Sequence, residues 1–204
     1  MSNVAEMFNN MTFSEAGNAL KVALKENTSL TEIDLYNNNI GDDGARALAY
    51  ALKGNNTVTD INLWGNEIGD AGVYALADVL KENTTLKKVV LDQNYIGDDG
   101  ARALAEALKV NTSLTEIHLW GNEIGDAGSR ALAKSLKVNT TLKEINLNNN
   151  SIGDDGVCCC ALEDMMKVNT TLSRIYLKYN SISAAGARAL NDALKLNTSL
   201  TLII

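Results

Sequence analysis

The apolar positions of this chain recur on a fixed interval. Leu30, Val58, Leu86, Leu114, Leu142, Leu172 and Leu200 stand 28 residues apart, apart from one step of 30 between Leu142 and Leu172. Inside each unit the spacing changes. It begins at about two residues, as in Ile33 and Leu35, and continues at three to four, as in Ala45, Leu48, Ala49 and Leu52. The first spacing predicts a strand and the second an amphipathic helix, so each unit reads strand, turn, helix. A repeat of this length makes a stacked array, in which neighbours bury each other's apolar faces. Parallel strands lie about 4.8 Å apart, whereas a helix is about 10 Å across. The array must therefore curve. The expected fold is an α/β right-handed solenoid, a horseshoe arc with its parallel sheet on the concave face and its helices on the convex face.

Each of the first six units opens with L-x-x-L-x-L-x-x-N, as in Leu30, Ile33, Leu35, Asn38 and Leu114, Ile117, Leu119, Asn122. This is the leucine-rich-repeat pattern. Residues 65–76, GNEIGDAGVYAL, and 121–132, GNEIGDAGSRAL, resemble the ribonuclease-inhibitor subfamily, whose repeats carry a full helix. A second-order alternation supports the likeness. Gly-Asp-Asp-Gly occurs at 41–44, 97–100 and 153–156, and Gly-Asp-Ala-Gly at 69–72 and 125–128. The organisation expected is one repeat domain over 1–204. It comprises a capping helix region at 1–29, repeats at 30–57, 58–85, 86–113, 114–141, 142–171 and 172–199, and a truncated seventh strand at 200–204. Solenoid ends need covering, so that last edge offers a route to self-association.

Composition narrows the classes. The chain has no proline and a formal net charge of −7, with 18 basic and 25 acidic residues spread along its length. No basic stripe exists for nucleic acid. The N-terminus lacks a basic start followed by an apolar run, no apolar stretch approaches a bilayer span, and the three cysteines are adjacent at 158–160. A cytoplasmic protein without membrane contact is expected. Cys158, Cys159 and Cys160 coincide with the two-residue insertion, so the fifth helix is expected to start later or to carry a bulge. The thiols read as small packing groups, with an exposed redox-active thiol as the alternative.

Several motifs invite chemistry and read more simply as scaffold. The Gly-Asp-Asp-Gly turns place carboxylates near Asn38, Asn39, Asp42 and Asp43, but calcium-loop spacing is absent. Asp ahead of a helix is expected to accept that helix's own N–H groups. Asn27, Asn83, Asn111, Asn139, Asn169 and Asn197 match glycosylation acceptors, and their place after each helix predicts left-handed C-caps instead. Asn38, Asn66, Asn94, Asn122, Asn150 and Asn180 predict a buried ladder satisfying turn backbone. The single histidine, His118, has no nucleophile beside it. No enzyme activity, cofactor or metal is expected.

Alternation points the third, fifth and seventh strand positions away from the core. The seventh positions are Tyr36, Trp64, Asp92, Trp120, Asn148 and Lys178, which gathers both tryptophans into one column. The fifth are Asp34, Asn62, Val90, His118, Asn146 and Tyr176; the third are Glu32, Asp60, Lys88, Glu116, Glu144 and Arg174; Tyr179 lies beside Lys178. Exposed tryptophan is a preferred interface residue, and the family resemblance implies partner contact at Trp64 and Trp120. The alternative is that both lie flat and stiffen the sheet. With Asp92 between them they read as a slot for a cationic side chain of a protein or peptide partner. The function expected is a non-catalytic interaction scaffold. Alternatives are a GTPase regulator similar to Ran GTPase-activating protein, an array from a larger nucleotide-binding receptor, or a consensus-like array without a natural partner. A third family likeness, to the actin-capping tropomodulins, rests on the generic segment ALADVLKENTTLKKVVL at 75–91. The native protein should resist alkylation by iodoacetamide until denatured, as read by mass spectrometry, and the absence of any modified thiol in the native protein would remove the redox alternative.

Overall fold

A computed structural model describes residues 13–158 and 161–204. Helix α1 (Phe13–Glu26) precedes strand β1 (Glu32–Asp34) and α2 (Gly41–Leu52). The order then continues β2 (Asp60–Asn62), α3 (Asp70–Glu82), β3 (Lys88–Val90), α4 (Asp98–Leu108), β4 (Glu116–His118) and α5 (Asp126–Leu136). After β5 (Glu144–Asn146) the helical part is described as α6 (Asp154–Cys158) and α7 (Ala161–Val168), followed by β6 (Arg174–Tyr176), α8 (Ala184–Leu194) and β7 (Thr201–Ile203). The seven strands form one parallel sheet in sequence order. The first six strands keep the repeat register, Ile33 beside Ile61 beside Val89 beside Ile117 beside Ile145 beside Ile175, while β7 is shifted by one residue, with Leu202 beside Ile175.

Between sheet and helices lies one continuous apolar core. Leu63, Leu91 and Leu119 from the strands meet Leu48, Leu104 and Leu108 from the helices, all fully buried. The expected asparagine ladder is present. Asn94 Oδ1 accepts the N–H groups of Asn66 and Ile68 at 3.1 and 2.9 Å, while its amide donates to the carbonyls of Leu63, Leu91 and Asp92. Asn66 and Asn122 repeat the pattern one unit away. The ladder sets a left-handed residue just before it. Asn37, Gly65, Gln93, Gly121, Asn149 and Tyr179 all have φ between 53° and 68°.

Two expectations need correction, and a third is narrowed to one of its alternatives. The aspartates do not cap their own helices. Asp70 Oδ1 accepts from Gly97 and Gly100 N–H at 2.8 and 2.9 Å, and Asp98 Oδ1 from Gly125 and Gly128 at 2.9 and 2.7 Å, so each aspartate caps the helix of the following repeat. The local N-caps, Gly69, Gly97 and Gly125, supply no side-chain bond. This arrangement explains the second glycine of the motif: a Cβ on Gly100 would stand 2.6 Å from Asp70 Oδ1.

The asparagines after the helices are not left-handed either. Asn83 has φ −75° and ψ 130°. Its Oδ1 accepts the N–H groups of Thr85 and Leu86, and its amide donates to the carbonyl of Asn55 in the previous unit. Asn111, Asn139 and Asn169 do the same, so a second side-chain ladder runs along the opposite end of the strands. Asn55 belongs to this ladder and escaped the sequence reading, although it also begins an Asn-x-Thr triplet. Buried amides so engaged are closed to glycosylation in the folded chain.

The helix after β5, finally, does not start late. It begins at Asp154, in the usual register after Gly153. The role of Cys159 and Cys160, and whether a bulge accompanies them, lies outside the described residues, as does any extension of the N-terminal cap over residues 1–12. No helix of the described residues is long and apolar enough to cross a membrane.

The cross-repeat cap separates two aspartates that look alike in sequence. Asp98→Ala removes the acceptor for two N–H groups of the next helix and is expected to cost about 1–2 kcal/mol in urea unfolding. Asp99→Ala removes only a surface contact to Arg102 and should cost under about 0.5 kcal/mol.

Candidate functional site

The outward face of the sheet assembles the three columns read from the sequence. Strand register places Glu32, Asp60, Lys88, Glu116, Glu144 and Arg174 in one row, and Asp34, Asn62, Val90, His118, Asn146 and Tyr176 in the next. Their environments divide the face into two halves.

Over β1–β3 the face is open. Tyr36 and Trp64 stack with ring centroids 4.5 Å apart and an interplanar angle of 11°, a geometry that two indole-sized faces adopt when both would otherwise stand in water. The stack borders a cavity of about 570 Å³ lined by Glu32, Tyr36, Asp60, Asn62, Trp64, Lys88 and Val90. Asp34 lies beside it, holding the Tyr36 N–H and the Asn62 amide. Tyr36 is 52% exposed.

Over β3–β6 charged and polar side chains lie against one another. Lys88 Nζ meets Glu116 at 3.3 Å, His118 lies 3.9 Å from Asp92 and 3.5 Å from Glu144, and Arg174 Nε donates to Glu144 at 2.6 Å. That bond to Glu144 raises the Arg174 pKa. His118 Nε2 is the one buried side-chain nitrogen or oxygen among the described residues without a hydrogen-bond partner. Glu144 stood in the third column without being singled out; the signal available was its position next to Glu116, a like-charge neighbour that needs a base.

The expected slot between Trp64 and Trp120 is not formed. Trp64 leans away from it onto Tyr36, and Asp92 is buried with Oδ1 accepting the Trp120 N–H at 2.6 Å. Asn148 is likewise occupied, its Oδ1 accepting the Lys178 N–H. Tyr176 is half-buried, Lys178 is exposed, and Tyr179 is 78% exposed with a left-handed φ of 58°. The site residues therefore do not converge on one centre: Glu32, Tyr36, Asp60, Trp64 and Lys88 share the cavity, while Asp92, Glu116, His118 and Arg174 belong to the ionic network.

An open parallel sheet in sequence order, repeating helices and the stacked asparagines make the chain a leucine-rich-repeat protein. A model of the TMOD/LMOD leucine-rich domain matches residues 14–124, over half of the chain, and a general leucine-rich-repeat model matches 138–157 and 168–190. The chain belongs to this tropomodulin and leiomodin leucine-rich domain family. Among solved structures it is similar to leiomodin-1 actin-binding site 2, at TM-score 0.58 and 22% identity over 91% of this chain and 88% of that one. It is also similar to the C-terminal domain of tropomodulin from Caenorhabditis elegans, at TM-score 0.54 and 17% identity over 92% and 93%. No curated protein sequence matches the chain. Of the resemblances read from the sequence, the tropomodulin one is thus the one that the family match supports.

Burial raises the Asp92 carboxyl above its ordinary value of 3.8, against the Trp120 N–H and the charges of His118 and Lys88, which lower it. The unfolded chain binds this proton less readily, so the stability Asp92 contributes is complete below pH 3.8 and lost as pH rises through its folded value. In urea titrations from pH 3.5 to 7, the wild type should compare most favourably with Asp92→Asn at the lowest pH, and the difference should decline toward neutrality.

Proposed function

We propose that this chain is a non-catalytic protein-interaction domain that binds actin through the open half of its sheet face. The observation that carries the site is the Tyr36–Trp64 stack beside the cavity of about 570 Å³. Over β3–β6 charged side chains lie against one another, whereas here a stacked aromatic pair borders open volume. Aromatic area that is rigid and central is what dominates interface energies. The choice of actin rests on family membership and on the similar leiomodin-1 fragment named as an actin-binding site. The sheet beneath supports the role, because two side-chain ladders hold the backbone of β1–β3 in register, so that little backbone entropy is lost on docking.

The measurement is co-sedimentation with filamentous actin, paired with a monomeric-actin binding assay, on the wild type and on Trp64→Ala, Trp120→Ala and the double variant. Trp64→Ala should weaken binding about tenfold or more. Trp120→Ala should have a smaller effect, since Trp120 stands over the ionic half. Undiminished binding by the double variant would remove the sheet face from the interface, and absence of wild-type binding in both assays would remove actin.

A further inference from the structure

We infer that the cavity bounded by Glu32, Asp60 and the Tyr36–Trp64 stack receives a cationic side chain, guanidinium or ammonium, presented by the bound partner. The inference rests on the reading of this face as a protein-binding surface and deepens it. Two pairs of like-charge neighbours on the same sheet differ in their partners. Glu116 and Glu144 are register partners on β4 and β5, and Glu32 and Asp60 are register partners on β1 and β2. Carboxylates directly opposite each other on a sheet repel. In the first pair the chain supplies its own bases, Lys88 to Glu116 and Arg174 to Glu144.

In the second pair it supplies none. Among the described residues neither Glu32 nor Asp60 has a basic partner, and Asp60 is met only by the Thr59 hydroxyl, at 2.6 Å. Lys88 is the register neighbour of Asp60 and lines the same cavity, yet its ammonium is the one paired with Glu116. Asp34 adds a third carboxylate beside the stack. The uncompensated charge coincides with open volume and with the Tyr36–Trp64 stack that lines it. A carboxylate pair gives a cation its Coulombic and hydrogen-bonding partners, and an aromatic wall gives it a quadrupole and apolar contact for its stem. A neutral apolar group would leave the repulsion in place, and an anion would add to it. The cationic site read from the sequence thus moves toward the N-terminus, from Asp92 in the third repeat to Asp60 in the second and Glu32 in the first.

The test uses the full chain and N-acetyl-arginine amide as probe, with N-acetyl-citrulline amide as the uncharged analogue of the same shape. Binding is read from the indole N–H signals of Trp64 and Trp120 in nitrogen-labelled protein. The arginine probe should shift Trp64 saturably and leave Trp120 in place. The citrulline probe should bind about tenfold more weakly, and Glu32→Gln with Asp60→Asn should reduce arginine binding by a similar factor. Both positions face outward, and a thermal melt verifies that the double variant folds. Equal response to citrulline, no saturable shift at Trp64, or a folded double variant that binds the probe as well as wild type would each overturn the inference. Actin sedimentation of the same variants separates this from the parent reading. Undiminished actin binding by the carboxylate double variant sinks the cationic pocket alone, whereas probe binding without actin binding sinks actin and leaves the pocket standing.

Discussion

A turn between a strand and a helix leaves backbone N–H and carbonyl groups with no partner inside its own repeat, and burying them unpaired would cost about 1–3 kcal/mol each. In this solenoid the missing partners come from the neighbouring repeat. Asn94 serves the turn of the unit before it, Asn83 reaches back to Asn55, and Asp70 reaches forward to the N–H groups of Gly97 and Gly100. No unit is chemically complete alone. Stacking is thus required by hydrogen bonding as well as by the apolar core, and both demands fix the same register.

That constraint explains which positions vary. The core leucines, the two asparagine ladders and the glycine that accommodates the foreign aspartate are fixed by contacts on either side. The outward strand positions lie outside the apolar core and meet their own turns and their counterparts one strand away. They are free to differ, and they do: an aromatic and acidic opening over β1–β3 gives way to an ionic network over β3–β6. The scaffold therefore works as a rigid tape on which chemistry is written by row, and the row containing Tyr36 and Trp64 is the one left unfinished.

The ionic network has its own cost. Asp92, His118 and Glu144 lie low on the sheet, where desolvation disfavours charge, and burial holds the Asp92 carboxyl above its usual range even with three influences acting the other way. Asp92 and Glu144 are already engaged, by the Trp120 backbone N–H and by Arg174, whereas His118 Nε2 has no hydrogen-bond partner. The cluster stiffens the later strands beside the open site.

The repeat, the element order and the outward columns were legible in the sequence because each depends on side-chain period, which is a local property: 28 residues, alternation in the strand, three to four in the helix. The ladder of Asn38, Asn66 and Asn94 was legible for the same reason. What escaped was every relation that crosses between repeats. Asp98 looks like a cap for its own helix, and only stacking shows it capping the next; Asn111 looks like a left-handed terminus, and only stacking shows its amide reaching the carbonyls of Leu80 and Asn83. Trp64, Asp92 and Trp120 are evenly spaced in the sequence, yet Trp64 leans one way onto Tyr36 while Asp92 turns the other way to the Trp120 N–H. Sequence periodicity determined which side chains face the same surface. Which neighbour each one chose was decided in three dimensions, where packing, desolvation and hydrogen-bond geometry compete across strands that lie 28 residues apart.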